Sequence, residues 1–260
     1  MAYENILVTV GDDHVGEVVM NRPNQLNTFT LPMAIELVQA LEEMDNNPDV
    51  RVVILKGAGR VFCAGIDVNF VREDKGIMDF KDWVQIMFRP LETMGRMSKP
   101  VIAQVHGVAS ANGAGLVAAA DLAIAGERAR FGLTAINVGL SCIGPVVPVT
   151  RSVGRKKALE LLLYGDLIPA QEAKDIGLIN RVVPGDELEA EGRKWAAILA
   201  QKSPLALQTT KMAFYQAADM EYYKSLEYMK EVFVRLCATS DAQEGVAAFT
   251  GKREPVWRNR

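Results

Sequence analysis

Short β-branched runs dominate the first half of the chain, and helical spacing dominates the second. NILVTV (5–10) and VGEVVMN (15–21) flank GDDH, a turn signal, and predict a hairpin. After the polar loop RPNQLNTFT, residues Met33, Leu37, Leu41 and Met44 recur three or four apart, which predicts a helix from Leu31 to Met44, stopped by NNPDV. RVVILKGAG (51–59), PVIAQVHG (100–107) and DLAIAGERARFG (121–132) read as buried strands. Strands alternating with helices imply right-handed crossovers and an α/β fold.

From residue 156 onward the pattern is mostly helical. KKALELLLYG ends at Gly165, a candidate C-cap; AQEAKDIGLI stops at another glycine, and RVVP follows as a strand. Helical spacing resumes at Leu188 and is broken by Ser203-Pro204. In MEYYKSLEYMKEVFVRLCATSD a stripe of Tyr222, Leu226, Met229, Phe233 and Leu236 predicts a helix packed into the core, with part of it available to a partner subunit. The expected division is a core over residues 1–198 and a helical region over 199–260.

Composition narrows the function classes. The chain has 260 residues, 49% hydrophobic and 23% charged, with a net charge of −3. That balance gives no basic footprint for nucleic acid. No apolar run reaches membrane-spanning length, and the N-terminal sequence lacks the pattern of a signal peptide, so no membrane partner is expected. Cys63, Cys142 and Cys237 are odd in number and widely spaced, which favours a reducing, cytoplasmic location. The two histidines, His14 and His106, lie far apart, and no metal site is expected.

Candidate chemistry collects where two strands run into small-residue loops. One loop is RVFCAGID (60–67); the other is GVASANGAGLVAAAD (107–121), with a helix expected to begin near Gly113. Unpaired N–H groups at a helix start carry partial positive charge. Two such loops side by side could aim two donors at one oxygen, although small-residue loops also simply permit close packing.

The sequence resembles the crotonase superfamily, the enoyl-CoA hydratase/isomerase proteins, over essentially its whole length. NRPNQLNTF (21–29), VVILKGAGRVFCAGIDV (52–68), KPVIAQVHGVASANGAG (99–115), DLAIAGERARFG (121–132), INVGL (136–140), GDLIPAQEAKDIGLINRVVP (165–184) and EGVAAFTGKR (244–253) carry the resemblance in order. It implies a ββα spiral core with a C-terminal helical trimerisation region, assembled as a homotrimer or a dimer of trimers. It implies a coenzyme A thioester as substrate, with no separate cofactor. By motif match, the backbone N–H groups of Ile66 and Asn112 are the oxyanion donors. Leu26, Ala64, Asp67, Val68 and Gly113 match substrate-binding positions, as do Phe249 and Lys252 in the tail; for Lys252 a solvated surface charge is an equal alternative. Asn112 stands where glycine is common, so its side chain either reaches the ligand or tolerates an unusual φ.

The chain departs from the pattern at two positions. The resemblance places the two glutamates of hydratases at Gly115 and Ala135, neither of which can act as acid or base. No Asp or Glu occurs between Arg128 and Leu159, so a shifted register supplies no replacement for the second. This pattern is similar to the subgroup near enoyl-CoA hydratase domain-containing protein 3. Alternative groups are Asp79 and Asp82 on the segment that roofs the acyl pocket, and Ser141 and Cys142 after Gly139. A solvated helix face accounts for the two aspartates, and buried packing for the cysteine. Three readings follow: a hydratase- or isomerase-like enzyme (a lyase or isomerase); an acyl-CoA-binding protein without turnover; or a different enolate reaction such as cyclic dienoyl-CoA hydration, decarboxylation or thioester hydrolysis.

Overall fold

A computed structural model describes residues 3–72 and 74–260. Strands β1 (Ile6–Val10) and β2 (Val15–Met20) form the antiparallel hairpin expected from GDDH. Helix α1 (Leu31–Asn46) then leads to β3 (Val52–Gly57), parallel to β2. Thr30 opens α1 by accepting the Met33 N–H, and Pro32 fits its first turn. Helices α2 (Asn69–Arg72) and α3 (Ile77–Arg96) carry the chain to β4 (Val101–Val105), parallel to β3.

After β4 come β5 (Val108–Ser110), α4 (Asn112–Ala119), β6 (Leu122–Gly126) and β7 (Arg130–Gly132). The run DLAIAGERARFG is thus two strands in different sheets, because the exposed Glu127-Arg128 pair turns the chain between them. Next come α5 (Val146–Ser152), α6 (Arg155–Tyr164), β8 (Ile168–Pro169), α7 (Ala170–Asp175) and β9 (Arg181–Val183). Gly165 caps α6 in the left-handed conformation. The larger sheet has the order β1-β2-β3-β4-β6-β9, and the smaller β5-β7-β8.

The central strands are buried on both faces, as parallel strands are. Val53 and Leu55 join Met33, Leu37 and Leu41 of α1 in the main core. Val52 and Ile54 point the other way, into a second cluster with Leu188 and Ala196 of α8 (Leu188–Ala200). The boundary expected at residue 198 falls inside the last turn of α8, which packs on the sheet.

Three further helices follow: α9 (Pro204–Ala217), α10 (Tyr222–Cys237) and α11 (Ser240–Thr250). The stripe on α10 does not enter the core. No residue of α10 is buried, Phe233 is 65% exposed, and only Met229 and Leu236 of the stripe are half-buried. Helical periodicity identifies an apolar face but not what covers it.

Candidate functional site

The loops that follow β3 and β4 are knotted together. Cys63 N–H donates to Val108 O (3.0 Å), and Ser110 N–H donates to Cys63 O (2.9 Å). The loop from Asn21 to Phe29 closes the third side: Ala64 N–H donates to Leu26 O (3.0 Å), Phe29 N–H to Gly65 O (2.7 Å), and Asp67 N–H to Phe29 O (3.0 Å). Because Gly65 O and Asp67 N–H both face Phe29, the intervening Ile66 N–H faces the opposite side, as alternation along an extended segment requires.

Glycines permit the contact. Gly65 has φ +108°, and a Cβ there would lie 3.0 Å from Ala111 Cβ. A Cβ on Gly113 would lie 2.5 Å from Cys63 O. The residues just before Ile66 and Asn112 therefore touch, and the two following amides start from adjacent points of backbone. Asn112 is the first residue of α4, whose opening N–H groups have no partner within the helix. Among the described residues neither the Ile66 N–H nor the Asn112 N–H has a hydrogen-bond acceptor.

The turn that delivers Asn112 is strained. Ala111 has φ 48° and ψ −112°, a region that glycine adopts freely and alanine does not. Ala111 N–H donates to Gly132 O at 2.8 Å, which holds the turn against the small sheet.

Gly115 and Ala135 lie on the two elements that border this turn. Gly115 is on α4, and its N–H donates to Ala111 O. Ala135 is buried in a 3-10 turn over Thr134–Val138, and Ser110 Oγ and Thr134 Oγ1 hydrogen-bond at 2.6 Å beside it. Cys142 is buried with its thiol on the Ala135 backbone. Burial pushes its pKa up, with that hydrogen bond opposing, so the thiol stays protonated. Burial likewise pushes the Cys63 thiol up to about 12. Ser141 is exposed.

Two aspartates of the 67–82 segment, Asp67 and Asp79, hold backbone. Asp79 Oδ2 accepts the Gly76 N–H at 2.8 Å and caps α3, whereas Asp82 is exposed on that helix. Asp67 Oδ1 accepts the Asn69 N–H at 3.0 Å where α2 begins. Val68 is exposed beside it. Phe70 stacks on Trp83 with ring centroids 5.0 Å apart, which pins α2 to α3. Leu26, Ala64, Ile66 and Asp67 are thus drawn onto one set of loops with Asn112 and Gly113. Phe249 and Lys252 are not on these loops: they lie at the exposed end of α11, which packs on α9 and α10.

Asn27 is a residue that sequence reasoning passed over. It is fully buried at φ 50°, and its Nδ2 donates to Ala58 O (2.8 Å) and Val61 O (2.9 Å) while Oδ1 accepts the Arg22 N–H (2.8 Å). It ties the 21–29 loop to the strand-end loop. The available signal was its residue type, since asparagine is among the few that enter the left-handed region. His106 Nε2 meets Gly59 O at 2.8 Å in the same loop cluster.

The enoyl-CoA hydratase/isomerase family model matches residues 11–260. The chain belongs to the enoyl-CoA hydratase/isomerase family. The probable enoyl-CoA hydratase echA8 of Mycobacterium tuberculosis is 34% identical over 262 residues, spanning both chains entirely. Human enoyl-CoA hydratase domain-containing protein 3, mitochondrial, is 35% identical over 246 residues, covering 94% of this chain and 81% of that protein. The crystal structure of that human family member superposes with a TM-score of 0.94 at 33% identity, covering 98% of this chain and 100% of the other. Enoyl-CoA hydratase of Mycobacterium smegmatis gives the same TM-score and identity over 98% and 99%. These likenesses establish the crotonase-type fold across the chain.

Proposed function

We propose that this family member binds an acyl-CoA thioester and polarises its carbonyl oxygen with the main-chain amides of Ile66 and Asn112. What supports this reading is that neither N–H has an acceptor among the described residues, and that the residues before them, Gly65 and Ala111, pack against each other. Preorganised donors of this kind stabilise an enolate oxygen, and each is worth about 2.7–4 kcal/mol to a transition state. No protein nucleophile is needed, and the reading calls for no cofactor beyond the thioester. Leu26, Ala64, Asp67, Val68 and Gly113 would line the bound ligand.

The usual carboxylate pair is absent, so ordinary hydration of crotonyl-CoA is expected to be slow. A second reading, thioester binding without turnover, is favoured by two features: the space beside Gly115 is filled by Pro145, and burial keeps the Cys142 thiol protonated. A different enolate reaction is compatible with the same oxygen site. The discriminating experiment measures affinity for butyryl-CoA and for S-butyl-CoA, which lacks the carbonyl oxygen, alongside crotonyl-CoA hydration. The reading expects the thioester to bind about tenfold or more tightly, with hydration far below that of ordinary hydratases. Equal affinities would overturn the oxygen site, and rapid hydration would overturn the claim that the acid and base are missing.

We also propose self-association through the C-terminal helices, as a homotrimer or a dimer of trimers. The apolar face of α10 and Phe249, which is 85% exposed, lie uncovered on one chain. A neighbouring copy would cover them and could bring Phe249 and Lys252 to the ligand. A location in the cytoplasm accords with three free cysteines, two of them buried; human domain-containing protein 3 is named as mitochondrial. No helix among the described residues is long and apolar enough to cross a membrane.

A further inference from the structure

Asn112 carries a side chain that nothing in the fold explains. It is 5% exposed, and among the described residues its carboxamide has no hydrogen-bond partner. Buried amides are normally satisfied. Among the described residues the buried side-chain atoms sealed off without a hydrogen bond belong to Glu17 and Gln104, so the Asn112 carboxamide instead opens onto solvent-accessible space.

Two local explanations fail. Asparagine is often used to enter the left-handed region, but the positive φ of this turn falls on Ala111, and Asn112 itself begins α4. Asparagine also caps helices, yet the cap position is Ala111 and no side chain caps α4. Side chains on a helix lean toward its N-terminus, so the carboxamide projects over the end where the Ile66 and Asn112 amides lie free.

Resting on the thioester reading above, we propose that Asn112 Nδ2 donates a hydrogen bond to an oxygen on C3 of the acyl group. The site would then select acyl-CoA thioesters with a 3-oxo or a 3-carboxylate group. In such a ligand two oxygens flank C2. The main-chain amides take the thioester oxygen, and the carboxamide, one residue's reach away, takes the other. The choice fits the rest of the site. With Gly115 and Ala135 in place of carboxylates and Cys142 held neutral, the protein offers no strong base at C2. A 3-carboxylate leaves as carbon dioxide, its bonding pair passing to C2 and into the enolate, which then takes a proton from water; a 3-oxo group acidifies C2 so that its proton passes to water.

The test is calorimetric titration with butyryl-CoA, acetoacetyl-CoA and malonyl-CoA. The wild-type chain is expected to prefer at least one C3-oxygenated ligand over butyryl-CoA by about tenfold or more. Whichever of the two gains more identifies the oxygen as oxo or carboxylate. In Asn112→Gly, which keeps the main-chain amide, the ratio is expected to fall to within about twofold, with Asn112→Ala as a second variant should the first lose its fold. A wild-type ratio near one, or a preference that survives in the variant, would overturn the inference while leaving the oxygen site standing. Failure of the wild type to bind any of the three would remove the thioester reading, and the inference with it.

Discussion

Pro145 packs against the α-carbon of Gly115: a Cβ on that glycine would lie 2.9 Å from Pro145 Cβ and 3.0 Å from Pro145 Cα. The second contact is with backbone, which does not swing aside. Placing a carboxylate at this position is therefore more than a change of one side chain. Gly115→Glu is expected to destabilise the fold by about 1–3 kcal/mol through overpacking, and Gly115→Glu with Ala135→Glu is expected not to become an efficient hydratase. Denaturant titration and a crotonyl-CoA assay check both statements. A double variant with wild-type stability and brisk hydration would show that the α4–Pro145 contact yields.

The strained turn gives a prediction of opposite sign. Ala111→Gly removes the Cβ from a conformation that alanine tolerates poorly, and sparsely populated backbone of this kind costs about 1–3 kcal/mol. Glycine also loses more freedom on folding, so the net stabilisation expected is about 1 kcal/mol. Equilibrium unfolding in urea measures it; a loss of stability would mean that alanine's packing outweighs its strain.

How much of this was readable in advance depended on what each residue's neighbours were. The loops of the site were visible because Gly65 and Gly113 stand where backbone must approach backbone, and a glycine announces that requirement by itself. Pro145 was invisible: it lies thirty residues from Gly115 in sequence, and only the fold puts it there. The face of α10 was recognised, but its periodicity is the same whether its own core or another copy covers it. Arg130–Gly132 continued an apolar run, and nothing local showed that the turn at Glu127 sends it to a second sheet. Asn27 looked like one more polar loop residue, because its acceptors at Ala58 and Val61 are supplied by a distant segment.

An ion pair between buried Lys211 and half-buried Asp121 fastens α9 to the start of β6. Lys211 Nζ lies 2.8 Å from Asp121 Oδ2 and donates to Met94 O and Lys99 O, while Tyr215 Oη donates to Asp121 Oδ1 at 3.0 Å. The neighbouring carboxylate and burial both push the Tyr215 pKa up, burial more. Lys211→Met leaves Asp121 without its cation and is expected to cost about 3–5 kcal/mol. Thermal and denaturant melts read this out. A loss below about 1 kcal/mol would put the pair in the class of surface ion pairs.

The C-terminal tail has a pH dependence with a defined sign. Glu244 is held at about 2, first by its hydrogen bonds from Arg253 (Nη2 to Oε2, 2.8 Å) and then by the Val256 N–H (2.8 Å). A carboxylate lowered in the folded state contributes stability above its unfolded pKa, near 4.3, that is lost as pH falls toward the folded value. Docking of the tail should therefore weaken between pH about 4.5 and 2, and Glu244→Gln should remove that portion of the dependence. Trp257, whose Nε1 donates to Gln201 O at 2.8 Å, provides a fluorescence signal for the docked tail. An identical acid transition in the variant would assign the effect to other groups.

The central claim is that one carbonyl oxygen sits between the amides of Ile66 and Asn112. Hydrogen bonding to that oxygen weakens the C=O bond, so the most direct measurement is isotope-edited infrared spectroscopy of butyryl-CoA carrying carbon-13 at the thioester carbonyl. On binding, the labelled band is expected to move to lower frequency than in water. A bound ligand whose band stays at its aqueous position, or moves higher as in an apolar pocket, would contradict the account.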